Sequence, residues 1–219
     1  MDDKSLNLPE NRNYEYSLNQ SYQLAVDRLV NMEDFEVLCL KSGSLCQWVE
    51  SRKNIILSFL NRMYRVTTPE VTISIIDSDE EVPLREKVLI LHYILNARGT
   101  LLSNTPITFK ELPEGPVYFR TFNQRTIKHL VSSFSSDPQN LFAASKSFGG
   151  RKAAYGDAAV TIEAFLRVPI TLVVFKGDDE FPAEGNILYD STIPDYLPTE
   201  DIIVLTETLI WRLVRSIKA

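Results

Sequence analysis

Apolar residues recur every three or four positions between Tyr16 and Met32, at Leu18, Tyr22, Ala25, Val26, Leu29 and Val30, which predicts an amphipathic helix with one buried face. A shorter helix is expected from Asp34 to about Lys41, ended by Gly43, a residue free to take a positive φ. The period then changes. "CQWVES", "IILSFL" and "MYRVTT" are short β-prone runs parted by "RKN" and by Asn61 and Arg62, which is the pattern of an antiparallel meander, and "VTISII" (71–76) is a candidate fourth strand. The acidic run "DSDEE" follows and precedes a helix, whose positive dipole end favours carboxylates. That helix is expected to begin near Pro83, to carry Leu84, Val88, Leu91 and Leu95 on one stripe, and to stop by Gly99.

"PITFKELPEGP" reads as a short extended piece punctuated by prolines. Helices are expected at about 117–134 and 138–148, the second ended by Gly149 and Gly150. "AAVTIEAFL" alternates apolar and polar residues, and "PITLVVF" is apolar enough for a strand buried on both faces. The closing helix has Thr199 as its expected N-cap, Glu200 and Asp201 in its first turn, and Ile202, Leu205, Leu209, Leu213 and Ile217 along one side. Arg212, Arg215 and Lys218 suit its C-terminal end. This order lacks regular βαβ alternation and predicts an α+β fold, a single domain with a mainly antiparallel sheet, an N-terminal meander plus later strands, packed with about five or six helices. Residues 1–13 are expected to be a flexible N-terminus and 14–219 one domain.

Composition adds limits on function. The chain has 219 residues, 44% of them hydrophobic, enough for a large core. A net charge of -6 argues against broad contact with a nucleic-acid backbone, which rests on Lys and Arg. No stretch has the apolar length of a membrane span and the first thirty residues lack a signal-like apolar run, so a soluble cytoplasmic protein is expected. Cys39 and Cys46 are the two cysteines; C-x6-C matches no common metal-ligand spacing, and both are expected to be reduced residues in or near the core.

Candidate chemistry concentrates in three places. The stretch from Val173 to Ser191 holds Asp178, Asp179, Glu180, Glu184 and Asp190; Asp178, Asp179 and Glu180 are the residues that could hold a hard divalent cation, but the spacing departs from known ligand loops and a structural turn is the preferred reading. "SFGGRKAAYGD" (147–157) could form a backbone nest for a carboxylate or phosphate, with Arg151, Lys152, Tyr155 and Asp157 as candidate ligand contacts, or it could be a helix cap followed by a basic turn. The helix with Arg120, Arg125, Lys128, Tyr118, Phe119 and Phe122 combines cations and aromatics, as an anionic planar ligand or a partner protein would require. His92 lies beside a buried stripe, a core-edge residue or a ligand contact, and His129 is expected on a polar, solvated helix face. No G-x-S-x-G, H-E-x-x-H or other catalytic spacing occurs, which favours a binding or accessory protein over an enzyme.

Three segments in order, "LHYILNARGTLLSNTPITFKELPEGPVYFRTF", "SFGGRKAAYGDAAV" and "GDDEFPAEGNILYDSTIPDYLPTED", resemble the bacterial and archaeal domain-of-unknown-function family numbered 3786, over nearly the whole chain from about Tyr14. The resemblance implies a setting in anaerobes, where some members follow a four-cysteine iron-sulfur domain of the kind found in corrinoid iron-sulfur proteins. That association implies a setting in anaerobic one-carbon or corrinoid metabolism, and with the lack of catalytic spacings the expectation is an accessory protein that recognises a corrinoid or other tetrapyrrole, or that assists an iron-sulfur or corrinoid protein partner. No such cluster domain is present in this sequence. The alternative is a divalent-cation-dependent enzyme acting on a phosphorylated or carboxylated small molecule through the acidic loop at 177–185. Were the motifs to meet, Arg151 and Lys152 would supply positive charge and Asp157, Asp178, Glu180 and Asp201 negative charge to one pocket.

Overall fold

The computed structural model describes residues 12–217. The long first helix, α1 (Arg12–Val30), begins two residues inside the segment expected to be flexible, the rest of which lies outside the described residues. The short α2 (Phe35–Ser42) ends at Gly43, whose φ of 69 lets its amide turn back onto the carbonyls of Cys39 and Leu40.

The meander forms a four-stranded antiparallel sheet, β1 (Leu45–Val49), β2 (Arg52–Phe59), β3 (Arg62–Thr68) and β4 (Thr72–Ile75), in chain order. β2 and β3 are joined by Leu60 and Asn61, both at positive φ, the conformation that a two-residue hairpin with matching twist requires. The expected turn at "RKN" is corrected: the chain reverses at Glu50 and Ser51, and Arg52 to Asn54 already pair with β1.

A central helix, α3 (Leu84–Asn96), follows. It buries Leu89, Ile90, Leu91, Tyr93 and Ile94, apolar nearly all round, as suits a helix with neighbours on several sides. The expected helix at 117–134 is two helices, α4 (Gly115–Arg125) and α5 (Ile127–Phe134). Thr126 makes the break. It is fully buried, and its hydroxyl and amide both donate to the Phe122 carbonyl while its own backbone leaves the helical region. That break accounts for seven α-helices among the described residues where the pattern suggested five or six.

A second antiparallel sheet assembles from β5 (Pro106–Thr108), which precedes α4, and from four strands after α6 (Gln139–Ser145), namely β6 (Arg151–Lys152), β7 (Ala158–Phe165), β8 (Val168–Phe175) and β9 (Glu184–Asp190), in the spatial order β5-β9-β8-β7-β6. The α+β fold is thus a single domain built on two sheets. Their junction is the Leu60 amide donating to the Ala164 carbonyl, with Phe59 and Tyr93 stacked on Phe165 at 4.8 and 4.1 Å between ring centres. The last helix, α7 (Thr199–Ser216), crosses beside α3, α4, α5 and α6. Pro198, not Thr199, takes its N-cap position, and the Thr199 hydroxyl donates instead to the Pro113 carbonyl at 2.6 Å. No helix among the described residues is long and apolar enough to cross a membrane.

The two cysteines are also corrected. Cys39 near the end of α2 and Cys46 in β1 form a disulfide, because the turn at Gly43 brings their Cα atoms to 6.0 Å, within bonding reach.

Candidate functional site

The open face of the second sheet carries part of what the sequence singled out. Arg151 of β6, Thr161 and Glu163 of β7 and Thr171 of β8 share this face and floor a groove of about 260 Å3, with Tyr155 on one wall and Leu102 and Asn104 on the other. The second wall is fixed by Asp190, whose carboxylate accepts from the amides of Ser103, Asn104 and Thr192 and from the hydroxyls of Ser103 and Thr192. Burial pushes the Asp190 pKa up, but these hydrogen bonds outweigh it and hold the carboxyl below the usual aspartate range. Portions of all three segments that carry the family resemblance meet here.

Of their charges, Arg151 and Asp190 line the groove and the other candidates do not. Arg151 pairs with Glu163, while Lys152, its neighbour on a two-residue strand, points to the opposite face and sits 4.4 Å from the centre of the Phe142 ring. The expected nest is therefore a strand that separates its two cations. Asp157 accepts from the Lys176 amide at 2.7 Å. Asp178 turns its Oδ1 onto the amides of Phe181 and Glu180, which hold its pKa low, whereas Asp179 and Glu180 lie exposed on the same turn. His92 contacts Asp201 at 2.6 Å between α3 and α7, and Arg120 is exposed on α4. Among the described residues no group of three or more His, Cys, Asp or Glu is placed to hold a metal ion.

A larger cleft, of about 610 Å3, opens where α3, α4, α5 and α7 meet. Successive turns of α7 present Glu207, Trp211 and Arg215 to it, with Arg212 alongside. Glu207 is gripped from two other helices: Arg125 at the end of α4 engages both of its oxygens, Nε to Oε1 at 3.1 Å, and Arg85 in the first turn of α3 lies 3.4 Å from Oε2. Glu86, only 3% exposed, pairs with Arg212, and the Tyr64 hydroxyl reaches its other oxygen at 3.4 Å. Burial, reinforced by the Glu86 charge, pushes the Tyr64 phenol up. Trp211 is 40% exposed and its ring lies 4.8 Å from that of His129 on α5. Four arginines and two glutamates thus line a cleft with an aromatic wall, in a chain that is acidic as a whole.

The basic and aromatic pattern around α4 contributes one residue to this site. Arg125 does line the cleft, but Phe122 is core, stacked on Phe109 at 3.9 Å, and Phe119 carries Lys110 on its ring. Arg212 and Arg215 suit the helix dipole and also line the cleft, and the half-buried His129 forms part of its wall beside Trp211. Glu86, Glu207 and Trp211 went unnoticed. Glu86 had a signal: Leu89, Ile90, Tyr93 and Ile94 stand three, four, seven and eight positions later, so its carboxylate interrupts an apolar stripe and needs a buried partner.

Comparison with curated proteins and with solved structures found no match. The family model for DUF3786, a domain of unknown function, matches residues 34–212, well over half of the 219 residues, and the chain belongs to that family.

Proposed function

We propose that this is a non-catalytic binding or accessory protein whose arginine-lined cleft holds a small molecule with carboxylate or phosphate groups on a flat ring. The observation that carries this reading is the grip of Arg85 and Arg125, from two helices, on Glu207 beside the exposed Trp211. Guanidiniums suit planar oxyanions, and the internal carboxylate, which already accepts two bonds from Arg125, holds the two cations spread at the cleft wall. Trp211 offers a π face next to that charge. A volume of about 610 Å3 falls within the usual range of small-molecule sites, roughly 300–1,000 Å3, whereas the groove on the sheet is below it. The Thr208 hydroxyl donates to the Val204 carbonyl and His129 rests on Trp211, so no nucleophile stands against a base in the cleft.

A tetrapyrrole with carboxylate side chains uses this donor set better than a corrinoid, whose rim is mostly amide and leaves guanidiniums unmatched. The corrinoid itself, and assistance to an iron-sulfur or corrinoid protein partner, are supported by the family resemblance alone. The cation-dependent enzyme draws less support, since Asp178 commits an oxygen to two amides of its own turn.

Isothermal titration of the full chain with mesoporphyrin, cobalamin and inorganic phosphate tests the reading. Mesoporphyrin should bind, and Arg125→Gln with Arg215→Gln should lower its affinity by about tenfold or more. Absence of heat with every probe, or binding undiminished in the variant, overturns it.

A further inference from the structure

The disulfide lies at a place where opening it has a local consequence. β1 is the outer strand of its sheet, and its side chains are exposed at Leu45, Gln47, Trp48 and Val49; Cys46 alone among the five packs against the core. The strand that begins this sheet is therefore held by its ladder to β2, the packing of Cys46 on the core, the exposed stacking of Lys53 on Trp48 at 5.0 Å, and the bond from Cys46 to Cys39. The other end of the bond is secured independently. Cys39 is 3% exposed on α2, and the turn after it is fixed to α3 by the Tyr93 hydroxyl, which donates to the Ser42 carbonyl at 2.6 Å. With α2 fixed and β1 loosely seated, loss of the bond falls on β1.

We propose that Cys39–Cys46 is a reversible thiol–disulfide latch that controls whether β1 covers the edge of the first sheet. A thiolate of a dithiol reductant attacks the sulfur of Cys46, the less buried of the pair, and forms a mixed disulfide while Cys39 leaves as a thiolate and takes a proton. The second thiolate of the reductant then displaces Cys46, which is protonated in turn. The protein gains two electrons and two protons, and the reductant ends as its own disulfide. Closure is the reverse, with a disulfide oxidant such as oxidised glutathione taking the two electrons. Once β1 frays, the amides and carbonyls of β2 become a strand edge backed by Ile55, Ile56 and Leu57, open to pairing with another strand. The chain has two cysteines in all, so no other thiol competes for either partner.

Hydrogen-exchange mass spectrometry on the full chain, kept without reductant or treated with dithiothreitol, tests the latch. On reduction the amides of 45–49 should exchange about tenfold faster or more, while those of β3 and β8 hold their rates. The Cys39→Ser, Cys46→Ser double variant should show the fast rate at 45–49 with or without dithiothreitol. Unchanged exchange at 45–49 overturns the proposal. So does faster exchange throughout the chain, which would make the bond a general staple, and so does alkylation of both cysteines in protein treated with oxidised glutathione.

Discussion

The guanidinium of Arg125 engages both carboxylate oxygens of Glu207, joining the end of α4 to the middle of α7 across 82 residues of sequence. Arg125 is about a third exposed, so solvent screens the pair and its worth in stability is modest. Its worth in recognition lies in its shape. Arg125→Lys keeps the charge and loses the fork; the expected outcome is a stability loss under about 1 kcal/mol by urea unfolding, with mesoporphyrin affinity about tenfold lower by titration. Equal affinity in the lysine variant would show that a point charge suffices and that the planar geometry is incidental.

The Glu86–Arg212 pair differs because its carboxylate is nearly sealed, with 4% of the side chain exposed. Arg212→Ala leaves that charge buried without its partner, and a loss of about 3 kcal/mol is expected in urea unfolding, the low end for broken buried pairs because Arg212 itself is 20% exposed. Replacing both partners, Glu86→Leu with Arg212→Met, should recover most of the loss, since two apolar groups need neither charge nor solvent. A double variant as unstable as Arg212→Ala would show that packing around Arg212, not its charge, is what matters.

Gly115 opens α4, and a Cβ built there would stand 2.0 Å from the carbonyl oxygen of Phe109. The oxygen cannot retreat, because Phe109 is 1% exposed and stacked flat on Phe122. Gly115→Ala should therefore cost about 3 kcal/mol or more in unfolding free energy, and it should shift α4 enough to loosen Arg125 from Glu207. A variant as stable as the parent would mean that the start of α4 yields freely.

What could be read from the sequence was what repeats locally. β3 alternates between exposed Met63 and Arg65 and buried Tyr64 and Val66, and α7 buries Ile202, Leu205, Leu209 and Leu213 on one side, so period alone located both. The split at Thr126 was hidden because a threonine bonding back to the Phe122 carbonyl looks the same in sequence as one facing water. The assignment of strands to two sheets was hidden for another reason: β5 pairs with β9 through Ile107 and Tyr189, far apart in the chain, and no local pattern encodes that register. The cleft combines both cases. Arg125 and Arg212 were visible as cations, but their opposition across Glu207 and Glu86 exists only after α3, α4 and α7 have packed.

Asp190 gives the fold a dependence on acid. Five hydrogen bonds favour its carboxylate, and its folded pKa lies below the ordinary aspartate value of about 3.9. A depressed folded value means that the unfolded chain takes up the proton first as the pH falls. The stabilisation is complete above the ordinary value and is lost as the pH drops through the folded one. Asp190→Asn removes the charge at every pH and turns an amide toward donors that need an acceptor, so it should cost on the order of 2 kcal/mol near pH 7. As the pH falls through the folded value the parent loses the same advantage, and the gap between parent and variant should narrow. Urea unfolding of both chains at pH 7, 4 and 2.5 measures this directly. A gap that stays constant across that range would mean that the shape of the 102–104 loop, and not the charge that holds it, sets the role of Asp190.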